Sequence, residues 1–410
     1  MPHHPGGLRP PPLLDRGGES NIPSPAGIRL GVLPPLALYV HIPWCVKKCP
    51  YCDFNSHQAR GDVPEQAYVE ALVTDLELAL PDVWGRRVYS IFFGGGTPSL
   101  FSAAAIETLI SAFRARLSLA ADCEITLEAN PGTFEAEKFR GYREAGVNRL
   151  SIGIQSFNPE RLKALGRIHD DNEARRAIEI AKTSFENINL DLMYALPQQT
   201  PEEARADVEA ALGAGTAHLS FYHLTLEPNT LFYRHPPALP DEDAAAAMQD
   251  AIGAALAARG YAHYETSAWA KSGRECRHNL NYWRFGDYLG IGAGAHGKVS
   301  FPDRVTRTVR WKQPREYLQR VAEGRPAQES REVGRGDLVF EFMMNALRLT
   351  DGFPVASFTE RTGLQIAVAE KPLREAEARG LIARDRERIR PTELGQRFLN
   401  DLLQLFLPPC

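Results

Sequence analysis

From Leu36 onward, short apolar runs alternate with longer stretches in which apolar residues recur every three or four positions. Runs of the first kind fit buried strands, and the 3.6-residue recurrence fits amphipathic helices. The strand candidates are Ala37 to Ile42, Val88 to Phe93, Cys123 to Ala129, Asn148 to Ile154, Ile188 to Met193 and His218 to Leu224. Helices are predicted between them, for example over Glu65 to Leu80 and Ala103 to Leu117. Parallel neighbours need a crossover, so this rhythm predicts an α/β fold with a parallel sheet. Six such strands can close part-way into a barrel, where active sites collect at the carboxyl ends of the strands. Polar residues at those ends are therefore read first for chemistry.

Beyond about residue 240 the rhythm weakens. A helix over Asp241 to Ala258 and a strand over Tyr261 to Ser267 precede a Gly- and aromatic-rich region, 271–335, in which no regular element is predicted apart from a short helix at 278–283. From Gly336 the pattern turns helical: Asp337 to Leu349, Gln365 to Arg379 and Thr392 to Leu405 flank the short pair Leu381 to Arg384 and Arg388 to Pro391. That arrangement predicts a winged-helix-like accessory domain over 336–410. The arginines of the pair alternate with Asp385 and Glu387, which fits a solvated strand face better than a DNA-reading one. At the other end, the prolines and glycines of 1–34 predict a disordered leader. The expected division is thus leader 1–34, barrel 35–270, connector 271–335 and accessory domain 336–410.

Composition narrows the partners. A formal charge of −4 over 410 residues, with both signs interspersed, leaves no electrostatic footprint for nucleic acid. No run reaches the length of a membrane span and no signal peptide is visible, so the expected location is the cytoplasm, with membrane contact at most peripheral. The six cysteines are too few and too unevenly spaced for a disulfide framework. Three of them, Cys45, Cys49 and Cys52, crowd into His41-Ile-Pro-Trp-Cys45-Val-Lys-Lys-Cys49-Pro-Tyr-Cys52, directly after the first strand.

Three thiolates on a four-iron four-sulfur cluster leave one iron open to chelate a small molecule, and the amino and carboxylate groups of S-adenosylmethionine suit that place. Zinc is the alternative, with His41 or His57 as a fourth ligand. The second strand ends in Phe93-Gly94-Gly95-Gly96-Thr97-Pro98, bare backbone that permits close approach and offers amides to a polar ligand. Glu128, Gln155 and Asp191 fall near the carboxyl ends of successive strands, and Arg167 is available to pair with them or meet the cofactor. Taken singly, each of these polar residues also fits a satisfied strand-end cap; jointly they favour a cofactor site.

These features resemble the radical SAM superfamily, and the fuller text is similar to the HemW heme chaperone family, relatives of the oxygen-independent coproporphyrinogen oxidases. The resemblance runs from about Leu36 to near the C-terminus. It rests on the cysteine loop through His57, on Leu165-Gly-Arg-Ile-His169, and on His278-Asn-Leu-Asn-Tyr-Trp283 with Phe285-Gly-Asp-Tyr-Leu-Gly290. It implies an incomplete (β/α)6 barrel and cluster ligation by Cys45, Cys49 and Cys52. It also implies cofactor contacts from Tyr39, Tyr51, Gly95, Gly96, Thr97, Glu128, Gln155, Arg167 and Asp191.

Within this group the resemblance implies either heme binding and delivery or oxidative decarboxylation of coproporphyrinogen. The oxidases carry another cysteine two residues after the third ligand, whereas Phe54 stands there in this chain. They also have an N-terminal region that helps close the active site, for which 1–34 offers no comparable text. Both differences favour the carrier, whose partners are heme, a heme-acceptor protein and an electron donor for the cluster. For the heme, a helix at 278–283 sets His278 beside Tyr282 and Asn279 beside Trp283, an imidazole with aromatic cover. Alternatively His278 is a core histidine, with Tyr282 and Trp283 as packing. His296 is a rival ligand, and Cys276 could attack a vinyl group; Cys123 and Cys410 receive no role.

Overall fold

The computed structural model describes residues 27–408 except Phe134. The six anticipated strands are β1 (Leu36–Ile42), β2 (Arg87–Gly95), β3 (Ser118–Ala129), β4 (Arg149–Gln155), β5 (Ile188–Tyr194) and β6 (His218–His223). Each pairs in parallel with the next. Strand alternation sends Val40, Ile91, Leu127, Leu150, Leu190 and Leu219 into the core under the crossover helices, all of them fully buried. Burial of this kind contributes about 1.5–3 kcal/mol per side chain, so these positions fix the register. The residues between them, among them Glu128, Ser151 and Asp191, face the barrel interior.

The sheet does not stop at six strands. Where one strand over Tyr261 to Ser267 was predicted, the chain folds into two short antiparallel ones, β7 (Ala262–Glu265) and β8 (Ala268–Ala270), and β8 pairs with β6. The region expected to be a connector, 271–335, holds β9 (Asp287–Ile291), β10 (His296–Ser300), β11 (Val305–Arg310) and β12 (Ala327–Glu332). β9 lies parallel to β1 on its free side, Tyr39 opposite Gly290, and the others follow antiparallel, giving one 12-stranded sheet. Region 271–335 is thus an extension of the barrel sheet. Its glycines disguised it, and they serve close approach: a Cβ on Gly290 would lie 2.0 Å from the His296 carbonyl oxygen, and one on Gly292 2.4 Å from that of His41.

Two buried charge clusters fasten this extension. Asp75, on the helix Glu65–Val83, receives Arg310 Nε at 2.9 Å and Tyr317 Oη at 2.8 Å. Asp287 is held by Lys298 Nζ at 2.8 Å and Arg86 Nη2 at 2.7 Å.

A second core, built on Leu338, Phe342, Phe358, Leu373 and Ile389, belongs to the C-terminal part. Its three-stranded sheet joins Phe353–Pro354, Arg388–Pro391 and Ile382–Arg384. The helix expected over Gln365 to Arg379 begins only at Glu370, after a 3-10 turn, because Pro372 cannot follow an earlier helical turn. The one expected over Thr392 to Leu405 breaks at Phe398. Arg384 is bound by Glu370 and Glu377, both at 2.9 Å, which agrees with a solvated, charge-balanced face. Of the expected leader, 1–26 lies outside the described residues. Its last part is ordered, with Ile28 and Leu30 buried in this second core and Leu30 N donating to Pro302 O at 2.9 Å.

Candidate functional site

The cysteine loop leaves the carboxyl end of β1 and returns to it: Trp44 and Cys45 pair in parallel with His57 and Gln58. Trp44 anchors the take-off point against Tyr68 and Phe101, ring centroids 4.7 and 6.2 Å away. Lys48 Nζ crosses the loop to the carbonyls of Phe54 and Ser56, both at 3.2 Å. Cys45, Cys49 and Cys52 are unpaired and half-buried, and all three line one cavity of about 380 Å³ at the barrel mouth.

Burial raises the Cys45 and Cys52 thiols above their ordinary pKa, so a metal bound there would displace protons. Arg167 Nη1 reaches Cys49 Sγ at 3.6 Å. The nitrogens a zinc site would need are engaged elsewhere. His41 Nδ1 meets Tyr39 Oη at 2.7 Å and its Nε2 meets Asn55 O at 2.9 Å, while His57 Nε2 lies 3.3 Å from Asn55 Oδ1. With both of these histidines engaged, the three thiols fit a four-iron cluster with one open corner better than a closed tetrahedral zinc site.

Tyr51, Gly95, Gly96, Thr97, Glu128, Gln155, Arg167 and Asp191 line the same cavity, so the structure gathers eight of the nine anticipated cofactor residues. Tyr39 stands behind the wall, bonded to His41 and packed on Phe92. The glycine run differs from expectation in what it offers. Gly95 N donates to Glu128 Oε2 at 3.2 Å, Gly96 N to Ile42 O at 2.8 Å and Thr97 N to Trp44 O at 2.7 Å, so its amides are already used. The side chains are absent for packing: a Cβ on Gly95 would sit 2.6 Å from the His41 ring, and one on Gly96 2.5 Å from Trp44 O. Arg167 pairs with neither acid; its Nη2 donates to Asn130 Oδ1 at 2.5 Å and Gly153 O at 2.9 Å. Gln155 holds a left-handed backbone, φ 68°, a conformation that costs energy and concentrates at functional sites.

Asp191 accepts from Ser151 Oγ at 2.6 Å and Asn189 Nδ2 at 2.9 Å, and burial still raises its pKa. Burial, then the nearby Asp191 charge, pushes Glu128 up to about 8 against the single Gly95 N–H. Asn130 and Ser151 were missed in the sequence, although they share the period-2 face of Glu128 and Gly153. The Glu128 shift has a testable sign. The folded chain keeps the proton up to about pH 8 while the unfolded chain loses it near the ordinary carboxyl value. The unfolded state therefore binds fewer protons in that window, and stability falls as pH rises through it. Glu128→Gln should remove this loss, gaining thermal stability over the parent apoprotein from about pH 5 to about pH 8.5; parallel melting curves with pH would refute the shift.

The expected helix at His278 exists, Arg277–Trp283, with the His278 and Tyr282 rings 6.2 Å apart. It packs against β1, β2 and β9, and none of His278, Tyr282 or Trp283 lines the cavity. His278 is 5% exposed, stacked on Phe92 at 4.1 Å, with Nδ1 3.1 Å from Cys276 Sγ. Glu124 secures the helix start by accepting from Arg277 N at 3.0 Å, and Trp283 is covered by the Arg348 guanidinium at 4.3 Å. This is the geometry of a packed core histidine, with no ring face open to a porphyrin. His296 begins β10 outside the cavity wall, and Cys276 is buried.

The barrel, its cysteine loop and the cradle at the strand ends define a radical SAM protein. Residues 39–211 match the family model of the Radical SAM superfamily, and 335–398 match the HemN C-terminal domain. The fold is shared with the solved coproporphyrinogen III oxidase HemN of Escherichia coli, TM-score 0.78 at 24% identity, over 91% of this chain and 90% of that one. Sequence comparison goes further. The chain is 53% identical over 377 residues to the heme chaperone HemW of Escherichia coli (strain K12), covering 92% of this chain and 99% of that protein. Against the heme chaperone HemW of Bacillus subtilis (strain 168) it is 34% identical, covering 90% and 98%. The chain belongs to the HemW heme chaperone family.

Proposed function

We propose that this chain binds heme and passes it to an acceptor protein, and that it carries a four-iron four-sulfur cluster on Cys45, Cys49 and Cys52 with S-adenosylmethionine beside it. The observation that carries the reading is the single cavity in which three free thiols face the cofactor cradle while Phe54, not a fourth cysteine, borders the opening. A cluster bound there supplies an open iron for chelation and an electron from an external donor. The chain's own groups do the positioning. Glu128 and Asp191 offer carboxylates to the cofactor's donors, and an ammonium brought beside Glu128 favours its ionised form, so binding releases a proton. Arg167 donates to Cys49 Sγ and ties the loop to Asn130 and Gly153. Thiol ligands favour a reducing compartment, so the proposed location is the cytoplasm. No helix among the described residues is long and apolar enough to cross a membrane.

Anaerobically reconstituted protein, given hemin in one assay and coproporphyrinogen with cofactor and reductant in another, tests the reading. A saturable Soret complex and no decarboxylated product are expected. Appreciable protoporphyrinogen formation would establish the oxidase instead.

A further inference from the structure

We propose that heme docks across the mouth of the barrel with the imidazole of His223 as a ligand to its iron. This rests on the heme binding proposed above and gives it a place. An iron ligand needs a free ring nitrogen that faces the cavity: His41 is spent on Tyr39 and Asn55 and His218 on Asn189 and Tyr264, while His169, with Nε2 on Ile154 O and Nδ1 buried, and His235 lie outside the cavity lining. His223 closes β6 with its ring stacked on Tyr194, centroids 5.2 Å apart, and it has no hydrogen bond among the described residues. It is exposed and lines the same cavity as the three cysteines.

The surroundings of that imidazole suit an apolar disc. Phe54, at the opening, is 59% exposed, and Ile168 in the adjoining groove is 48% exposed. The short helix Leu231–Arg234 follows β6 and adds Leu231 and Tyr233, 59% and 55% exposed. It is pinned to the cysteine loop from beneath, by Phe232 N donating to Pro50 O at 3.0 Å and by its ring against Tyr51. Phe54 and Ile168 border the cavity and its groove, and exposed apolar side chains so placed, with Leu231 and Tyr233 on the helix tied to the cysteine loop, mark a binding surface. Lys47 lines both the cavity and the groove and has no ion pair among the described residues. Iron asks for a free imidazole, the macrocycle for apolar cover and the propionates for a cation, and this rim presents all three.

The test uses the full chain with its cluster reconstituted anaerobically, as wild type, His223→Ala, His223→Gln and His235→Ala, titrated with hemin. Both His223 variants should shift or lose the wild-type Soret band and bind about tenfold or more weakly. Cluster absorption and thermal midpoint should stay unchanged, and added free imidazole should restore the band in His223→Ala. His235→Ala, at the end of the helix Leu231–Arg234 and outside the cavity lining, should behave as wild type. Folded His223 variants with wild-type spectrum and affinity would overturn the proposal and leave heme binding standing. A Soret change in His235→Ala alone would also overturn it. A wild-type chain that binds no heme would overturn the heme reading itself.

Discussion

Cys49→Ala is expected to yield a folded chain that retains no four-iron cluster after anaerobic reconstitution, measured by iron content and visible absorption. Cys49 is the middle of the three proposed ligands, in a loop whose ends are fixed by the pairing of Trp44 and Cys45 with His57 and Gln58. The backbone contact from Cys52 N to Cys49 O, 3.2 Å, does not depend on the thiol, so the loop keeps its path. Two remaining thiolates leave two cluster corners without protein ligands, and the loss is all or none. The apoprotein's thermal midpoint should hardly move, since the side chain is only half-buried. Cys123 and Cys276 lie 7% and 1% exposed, away from the cavity, and their alanine variants should keep the cluster. Cluster retention in Cys49→Ala together with loss in Cys276→Ala would refute the ligand assignment.

What the sequence disclosed follows the range of the interactions. The six barrel strands were legible because each carries a local apolar run between turn signals, and the cysteine loop because its donors are consecutive. Glu128, Gln155 and Asp191 could be placed together because period 2 and a barrel suffice to make strand ends converge. β9 was hidden because Gly290 makes room for the His296 carbonyl across the turn and Gly292 for that of His41, more than 200 residues away, and a local pattern reads both as turn residues. For the same reason the glycine run was taken as a donor of amides: only the structure reveals Ile42, Trp44 and Glu128 as their acceptors. The His278 helix was placed correctly, but its facing partners Phe92, Glu124 and Arg348 come from three distant segments. His223 was passed over because a histidine ending a strand has no local mark that distinguishes a free ring from a bonded one.

Asp75→Ala is expected to destabilise the fold more than any substitution in the cavity wall. Within the helix Glu65–Val83 the residue reads as an ordinary polar position, yet it is fully buried. Its carboxylate accepts from Arg310 Nε at 2.9 Å, from Tyr317 Oη at 2.8 Å and from Gly292 N at 3.2 Å. One side chain thereby joins the first crossover helix to β11, to the helix Pro314–Ala322 and to the turn after β9. Alanine would leave the Arg310 guanidinium, 4% exposed, without its counter-charge. Breaking a buried pair in this way costs about 3–5 kcal/mol, a large share of the roughly 5–15 kcal/mol that keeps a domain folded. Asp75→Asn keeps acceptor geometry and loses the charge, so it should fall between parent and alanine. The double variant Asp75→Leu with Arg310→Met removes both charges and should recover much of the loss, since the penalty comes from the orphaned ion rather than from the missing attraction. Asn55 hangs the cysteine loop on the same segment, its Nδ2 donating to Ala293 O at 2.9 Å and Lys312 O at 2.8 Å. Asp75→Ala should therefore also retain less iron, although Asp75 is not a ligand. Urea denaturation with iron analysis checks both effects; a midpoint unchanged from the parent would show that the carboxylate does not bear the extension sheet.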